Sequence, residues 1–522
     1  MSSSKTPLFS RLRNLVALAS STERVPVDER IEQHHQAELT RRQFLAGTGL
    51  VAGASLFGAL PATALAPLRK EKEAPHIAII GAGIAGLTAA WTLRKRGVYA
   101  EVYEATTRIG GRMFTGRNVV GDNVYSELGG EFVDTTHTEI LALAKELGIS
   151  LNDLQSETEK PYTDLFVFKG QQYSEKDIVT SLQAYVPALT AVKEKVRTQP
   201  EARKQYDSIS AAKFLEQLGV SGWLYALFDT AYTTEMGLDI GELSSLQILD
   251  LLPTAQSAED LRFFNDSDER LKIQGGSDAL TTALAEKLGN AIKVHHLWYD
   301  VQPFSNRYKL TFDTAQASKE ILADFVICTT PFTVLRQMRT IKLLQEIPPM
   351  QQKAINELSY GTNSKLILGM KSAFWRKLGL SGTCYTDPDL QLVWDSSRMQ
   401  NTTEAALTML YGGEQGRLLN NDYDEYHAKA ALPKLDMLFK GAQEHYNGRA
   451  KQFTWPSYRY SFGSYSCYSV GQQTTIGGYE GAPVGNFYFA GEHCSKKYQG
   501  FMNGAAETGR LAALDILRKM GK

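Results

Sequence analysis

The stretch that decides the fold reads His76-Ile77-Ala78-Ile79-Ile80-Gly81-Ala82-Gly83-Ile84-Ala85-Gly86. An apolar run reads as a buried strand and feeds a Gly-x-Gly-x-x-Gly loop. A helical pattern then runs from Ile84 to Arg96, with Leu87, Ala90, Trp91 and Leu93 on its apolar side and Gly97 as its stop. A second strand, Tyr99 to Tyr103, ends at Glu104, with Ala105 beside it. Gly81 allows the tight turn, Gly83 lets the backbone approach a pyrophosphate, and Gly86 lets helix and strand pack closely. Ala85 lies in the first helical turn, whose free N–H groups face the phosphates. Glu104, 18 residues after Gly86, is placed to accept hydrogen bonds from an adenosine ribose. Strand, glycines, helix, strand and acid in this order predict an α/β dinucleotide-binding domain of Rossmann-like type.

Outward from this unit, 522 residues are enough for two or three domains. The 56 basic and 57 acidic side chains provide no basic field for nucleic acid. Cys328, Cys384, Cys467 and Cys494 lie far apart with no C-x-x-C pair, which argues against a disulfide framework or a zinc site. The pairs His34-His35 and His295-His296 lack the further ligands that a metal needs, so no metal is expected.

On the N-terminal side, Thr40-Arg41-Arg42-Gln43-Phe44-Leu45 precedes a Gly/Ala-rich apolar stretch to Ala66 and resembles a bacterial twin-arginine export signal. The resemblance implies passage through that machinery to the periplasm or the medium. Cleavage can fall after Ala64 or Ala66; Pro67 disfavours the second, so residues 1–64 are expected to be removed. An uncleaved anchor or a buried helix is the alternative. Gly47, Gly49, Gly53 and Gly58 make a poor spanning helix, and no stable membrane span is expected after processing.

On the other side, Arg108-Ile109-Gly110-Gly111-Arg112 follows Glu104 closely and resembles the pattern of FAD enzymes of glutathione-reductase type, with Gly111 and Arg112 near the pyrophosphate. The distant segment Asn486 to His493, then Gln499-Gly500-Phe501-Met502-Asn503-Gly504 onward to Arg510, resembles the last flavin-binding segment of the flavin-containing amine oxidases. That family includes monoamine, polyamine and putrescine oxidases and L-amino-acid oxidases. The resemblance spans roughly residues 75 to 520. It implies an FAD domain built from 75–140, 265–345 and 450–519, interleaved with an α+β substrate domain of 141–264 and 346–449. Within it, Gly129, Gly130, Glu131, Trp298, Gly491, Glu492, Gly500, Phe501 and Met502 fall at flavin-binding positions, and the helix from Phe501 aims its positive end at the flavin.

The same resemblance assigns the reaction centre. Lys365, in Gly361-Thr362-Asn363-Ser364-Lys365, matches the lysine that holds a water against flavin N5. Tyr465, in Gly463-Ser464-Tyr465-Ser466, and Phe501 match the two walls of an aromatic cage that steers an amine. Ser464 stands where some relatives carry the cysteine linked to flavin, so noncovalent FAD is expected. In Glu127-Leu128-Gly129-Gly130-Glu131-Phe132-Val133-Asp134, Phe132 replaces the arginine that clamps a substrate carboxylate in L-amino-acid oxidases. Asp134, Glu131 and Glu235 are the acids available to a cationic substrate tail. The expected activity is oxidation of a primary or secondary amine, with electrons passed to O₂ to give H₂O₂ or to a periplasmic carrier. An L-amino-acid oxidase using Arg117 or Arg459, and a flavin-binding protein without turnover, are the alternatives. A homodimer stays open.

Overall fold

The computed structural model describes residues 5–20, 26–31, 74–156, 162–252, 268–338, 346–420 and 422–522. Arg41-Arg42, both cleavage sites and His34-His35 lie outside the described residues.

Ile77–Ile80 is buried at every position, as a strand covered on both faces must be. It is the centre of a parallel sheet in the order Ile292–Lys293, Glu101–Tyr103, Ile77–Ile80, Phe325–Cys328, Phe487–Phe489. The register pairs Ile77 with Phe325 and Cys328 with Phe489, so one strand alone separates the two ends of the chain. The helices Ile84–Arg94 and Met502–Lys519 pack against each other beside this sheet. They come close at Gly509, where a Cβ would stand 2.1 Å from the Ala85 carbonyl oxygen.

The second body is a seven-stranded sheet, ordered Tyr446–Thr454, Ser364–Met370, Ala405–Tyr411, Leu392–Asp395, Leu380–Thr386, Thr163–Phe168, Gln171–Gln172. Helices including Glu175–Gln183 and Gly222–Met236 share its core through Phe166, Phe168, Tyr385 and Trp394. This is the α/β flavin-type domain with an interleaved α+β partner that the sequence predicts. The boundaries move, however. Ile140, Leu143 and Ala144 of the helix Thr138–Leu147 pack in the core of the parallel-sheet domain, and Leu151–Asp153 pairs with Leu271–Ile273 there. Ile347, Ala354 and Ile355 likewise belong to that domain's core, whereas Tyr446–Thr454 is an edge of the seven-stranded sheet.

Within the segment expected to be removed, Pro7–Ser20 is a helix whose Leu8, Phe9, Leu12, Leu15, Val16 and Leu18 are buried in the core of the seven-stranded body, a packing role that the sequence reading does not assign to it. Phe9 meets Tyr232 edge-on at 4.8 Å. Each such side chain contributes about 1.5–3 kcal/mol relative to its exposed state, so the helix is part of the fold in the full-length chain. No helix among the described residues is long and apolar enough to cross a membrane.

Candidate active site

One continuous cleft runs from the Gly81–Gly86 loop, between the two bodies, to Lys365, Tyr465 and Phe501. At its first end Gly81 holds φ +101°, a left-handed conformation that favours glycine, and a Cβ there would stand 2.5 Å from Thr329 Oγ1. Gly83 bridges Gly110 across the loop. Glu104 ends its strand at the cleft, accepting from the Ala82 N–H at 3.0 Å and from Thr106. Gly81, Gly83, Ala85, Glu104, Ala105, Gly111, Arg112, Gly129, Gly130, Trp298, Gly491, Glu492, Gly500 and Met502 all line the cleft; Gly86 instead packs under the loop, where a Cβ would stand 2.0 Å from the Gly81 oxygen.

The residues present fit an FAD. Two helices, Ile84–Arg94 and Met502–Lys519, begin at this cleft with no side chain capping their first N–H groups, which leaves donors for a pyrophosphate and a flavin carbonyl. Arg112 is less free than the sequence suggests. Its guanidinium donates to Glu492 Oε1 at 2.7 Å and to the Ser464 carbonyl at 2.8 Å. Burial alone would raise the Glu492 carboxyl; Arg112, then His493 and Ser466, outweigh it and hold it below the usual carboxylate range.

At the other end Lys365 sits on Ser364–Met370, paired with Leu410 on one side and Phe453 on the other. Its Nζ donates to the Glu127 carbonyl at 2.9 Å, the Gly129 carbonyl at 3.0 Å and Glu131 Oε2 at 3.1 Å. An ammonium has three donors, so the expected role of holding a water is corrected: all three already have protein acceptors. Lys365 instead staples the 127–131 loop against the cleft. Glu131 is corrected too. It is not a free receptor for a substrate ammonium, because Lys272 Nζ reaches its Oε1 at 2.8 Å and Trp394 Nε1 donates there at 3.2 Å. Burial would raise its carboxyl, and Lys272 and Lys365 together pull it below the ordinary range.

Tyr465 and Phe501 both face the cleft, with the Tyr465 hydroxyl donating to the Thr234 carbonyl at 3.2 Å. Beside them Asp134 is buried, accepting from the Glu269 N–H at 2.9 Å, with His137 Nε2 at 3.2 Å. Glu235 lies at the end of Gly222–Met236, fully buried, and burial pushes its carboxyl up to about 7 against the opposing pull of Lys5. It does not itself line the cleft; Lys5 and Thr6 cover both of its oxygens.

Sequence reasoning misses four residues here. Lys272 and Trp394 complete the Glu131 cluster from strands far along the chain. His137 stands edge-on to Phe501 at 5.1 Å, and burial lowers its pKa to about 3, keeping the ring neutral. Glu269 lines the cleft, 7% exposed, with neither carboxyl oxygen hydrogen-bonded; burial, then Asp134 and Glu235, push it well above the ordinary range. None of these lies in a local motif, so no signal short of a contact map would find them. His296 also lines the cleft and packs on Tyr103.

The arginines offered for a carboxylate clamp lie elsewhere. Arg117 pairs with Asp278 at 2.6 Å, and neither it nor Arg459 lines the cleft. No cysteine lines it either. Ser464 Oγ donates to Asn363 Oδ1 at 2.7 Å, and Cys467 is buried with its thiol pushed up to about 12.

Comparison with known proteins agrees with this architecture. The chain is 25% identical over 467 residues to a flavin-containing amine oxidase of Oncorhynchus mykiss, covering 85% of this chain and 86% of that protein. It is 26% identical over 492 residues to an L-amino-acid oxidase of Daboia russelii, covering 86% and 90%. Its fold is similar to that of cyclohexylamine oxidase from Brevibacterium oxydans, with a TM-score of 0.74 at 22% identity over 86% of this chain and all of that one. The model of the flavin containing amine oxidoreductases matches residues 84–517. With its cleft built by both ends of the chain around a dinucleotide loop, the protein belongs to that family and is an FAD-dependent oxidoreductase.

Proposed function

We propose that the protein oxidises a primary or secondary amine bearing a second positive charge, rather than an α-amino acid. The observation that carries this reading is the pair of carboxyls beside Tyr465 and Phe501: Asp134 and Glu269 are buried there, a second ammonium would draw the raised Glu269 carboxyl into its charged form, and among the described residues no unpaired or unstacked guanidinium lines the cleft. The cleft's arginines are Arg112, bound to Glu492, and Arg108, stacked 4.1 Å over Phe114. A buried substrate carboxylate would lack a bidentate partner among the described residues, at a cost of several kcal/mol.

An FAD held in this cleft would supply the hydride acceptor, with O₂, giving H₂O₂, or another carrier as the final electron acceptor. The chain's own residues do the rest. Tyr465 and Phe501 present π faces to the amine nitrogen and exclude water from its α-carbon. Lys365, fixed on two carbonyls and Glu131, keeps Gly129 and Gly130 in line along the cleft. Neutral His137 buttresses Phe501 without adding a charge. The imine released hydrolyses to an aldehyde plus ammonia or a shorter amine.

The hydroxyl at Ser464 and the absence of cysteine from the described cleft support noncovalent FAD. Acid precipitation is expected to release all the flavin into the supernatant; flavin remaining with the precipitate contradicts it. The Arg41-Arg42 sequence supports export, and changing both to lysine is expected to leave the protein in the cytoplasm. Turnover of a panel of mono-, di- and polyamines with aldehyde detection tests the activity. Turnover confined to α-amino acids overturns the choice of substrate.

A further inference from the structure

Lys5 enters the cleft from the N-terminal segment, and its ammonium lies 4.7 Å from the Tyr465 ring centre and 5.9 Å from that of Phe501. These are the two rings assigned to the substrate amine. The lysine chain runs directly over Gly500, where a Cβ would meet Cε at 2.4 Å and Nζ at 2.7 Å. Met236 Sδ, 3.8 Å away, is the other neighbour of the ammonium. The backbone continues the placement: the Lys5 N–H donates to Glu235 Oε1 at 2.6 Å, Thr6 Oγ1 to Oε2 at 3.0 Å, and Pro7, the first residue of the buried helix, lines the cleft.

We propose that residues 5–20 are an internal ligand of the amine site, with Lys5 in the place of the substrate amine, and that the enzyme is latent until this segment leaves. The inference rests on the amine-site reading above. An ammonium between two ring faces is what such a cage selects, and here the chain delivers one at high effective concentration. The helix that follows is anchored by Leu8, Phe9, Leu12 and Leu15, so an external amine competes against the whole segment rather than against a single side chain. The segment precedes the proposed cleavage after Ala64, and that cut would convert a tethered ligand into a separate peptide that dilution can remove.

The test uses the full-length holoprotein and tert-butylamine, which has no α-hydrogen and therefore binds without being oxidised. Its affinity is read from the perturbation of the flavin absorption band in the full chain, in Lys5→Ala and in Leu12→Asp, the last loosening the helix rather than the lysine. Vacating the cage is expected to tighten binding at least tenfold in Lys5→Ala, because apparent affinity scales with the fraction of open sites. Affinities equal within twofold in Lys5→Ala and the full chain overturn the internal ligand. Tyr465→Ala separates the two readings. If it weakens amine binding while Lys5→Ala changes nothing, the internal ligand falls and the amine site stands; if the amine perturbs neither form, both fall. A measurement without variants adds a check: under reductive methylation of the holoprotein, Lys5 is expected to react at least tenfold more slowly than Lys204, whose side chain is 63% exposed. Equal rates also overturn the proposal.

Discussion

Glu131 is held by two lysines, Lys272 from one strand and Lys365 from another, and the pair have different duties. Lys272 is buried on all sides, so Lys272→Met leaves Glu131 half-compensated and is expected to destabilise the fold by about 3 kcal/mol in denaturant unfolding. Lys365→Met removes the staple on the 127–131 loop at the reaction centre. It is expected to slow flavin reduction by amine at least tenfold in anaerobic stopped flow while the bound FAD content stays unchanged; an unchanged rate contradicts the role. Glu127 predicts a pH effect. Burial, opposed by Lys272 and Ser277, raises its carboxyl to about 7 although Thr115 and Ser277 donate to it. A folded pKa above the unfolded value near 4.5 means that the native state keeps a proton the unfolded chain has lost. This contribution to stability is full below about 4.5 and is lost as pH rises through about 7. Glu127→Gln is expected to flatten the fall in stability between those pH values, relative to wild type, in unfolding curves taken across the range.

At the scale of elements, what was legible in the sequence is what is local. The strand His76 to Ile80, its glycine loop and helix, and the C-terminal helix with its leading Gly500-Phe501 each carry their geometry in adjacent residues. The Glu131 cluster does not, because Lys272 stands 141 residues from its partner and the contact exists only after the domains interleave. The N-terminal helix is an intermediate case. Leu8, Leu12, Leu15 and Ala19 fall at helical spacing and mark a buried face, while the resemblance of Thr40 to Leu45 to an export signal implies a leader that includes the whole segment. The domain boundaries shifted for the same reason: Thr138–Leu147 is amphipathic wherever it packs, and only tertiary contact assigns it to the parallel-sheet core. The helix crossing at Gly509 offers a direct test. Gly509→Ala forces a methyl against the Ala85 backbone, and overpacking of this kind is expected to cost about 1–3 kcal/mol and to lower FAD occupancy after gel filtration.

For the whole molecule, the strand Phe325–Cys328 joins the first strand to the last, which sets the glycine loop and the C-terminal helix on one cleft and leaves the seven-stranded body to close its far end. On the proposed reading, substrate choice depends on that far end, where the carboxyls of Asp134 and Glu269 stand and the cleft's described arginines are engaged by Glu492 and Phe114. Glu269→Gln is expected to weaken a diamine relative to a monoamine of equal length by about tenfold, read as the ratio of kcat/KM values, because a distal ammonium beside Glu269 would favour loss of the proton that burial keeps on its carboxyl, and glutamine of the same shape cannot supply that charge. The account is tested most directly by anaerobic reduction of the bound FAD, in the full chain and in Lys5→Ala, by mono-, di- and polyamines alongside α-amino acids. Amines are expected to bleach the flavin band, fastest in Lys5→Ala and with diamines ahead of monoamines. Bleaching by α-amino acids alone, or by none of these compounds in either protein, would contradict it.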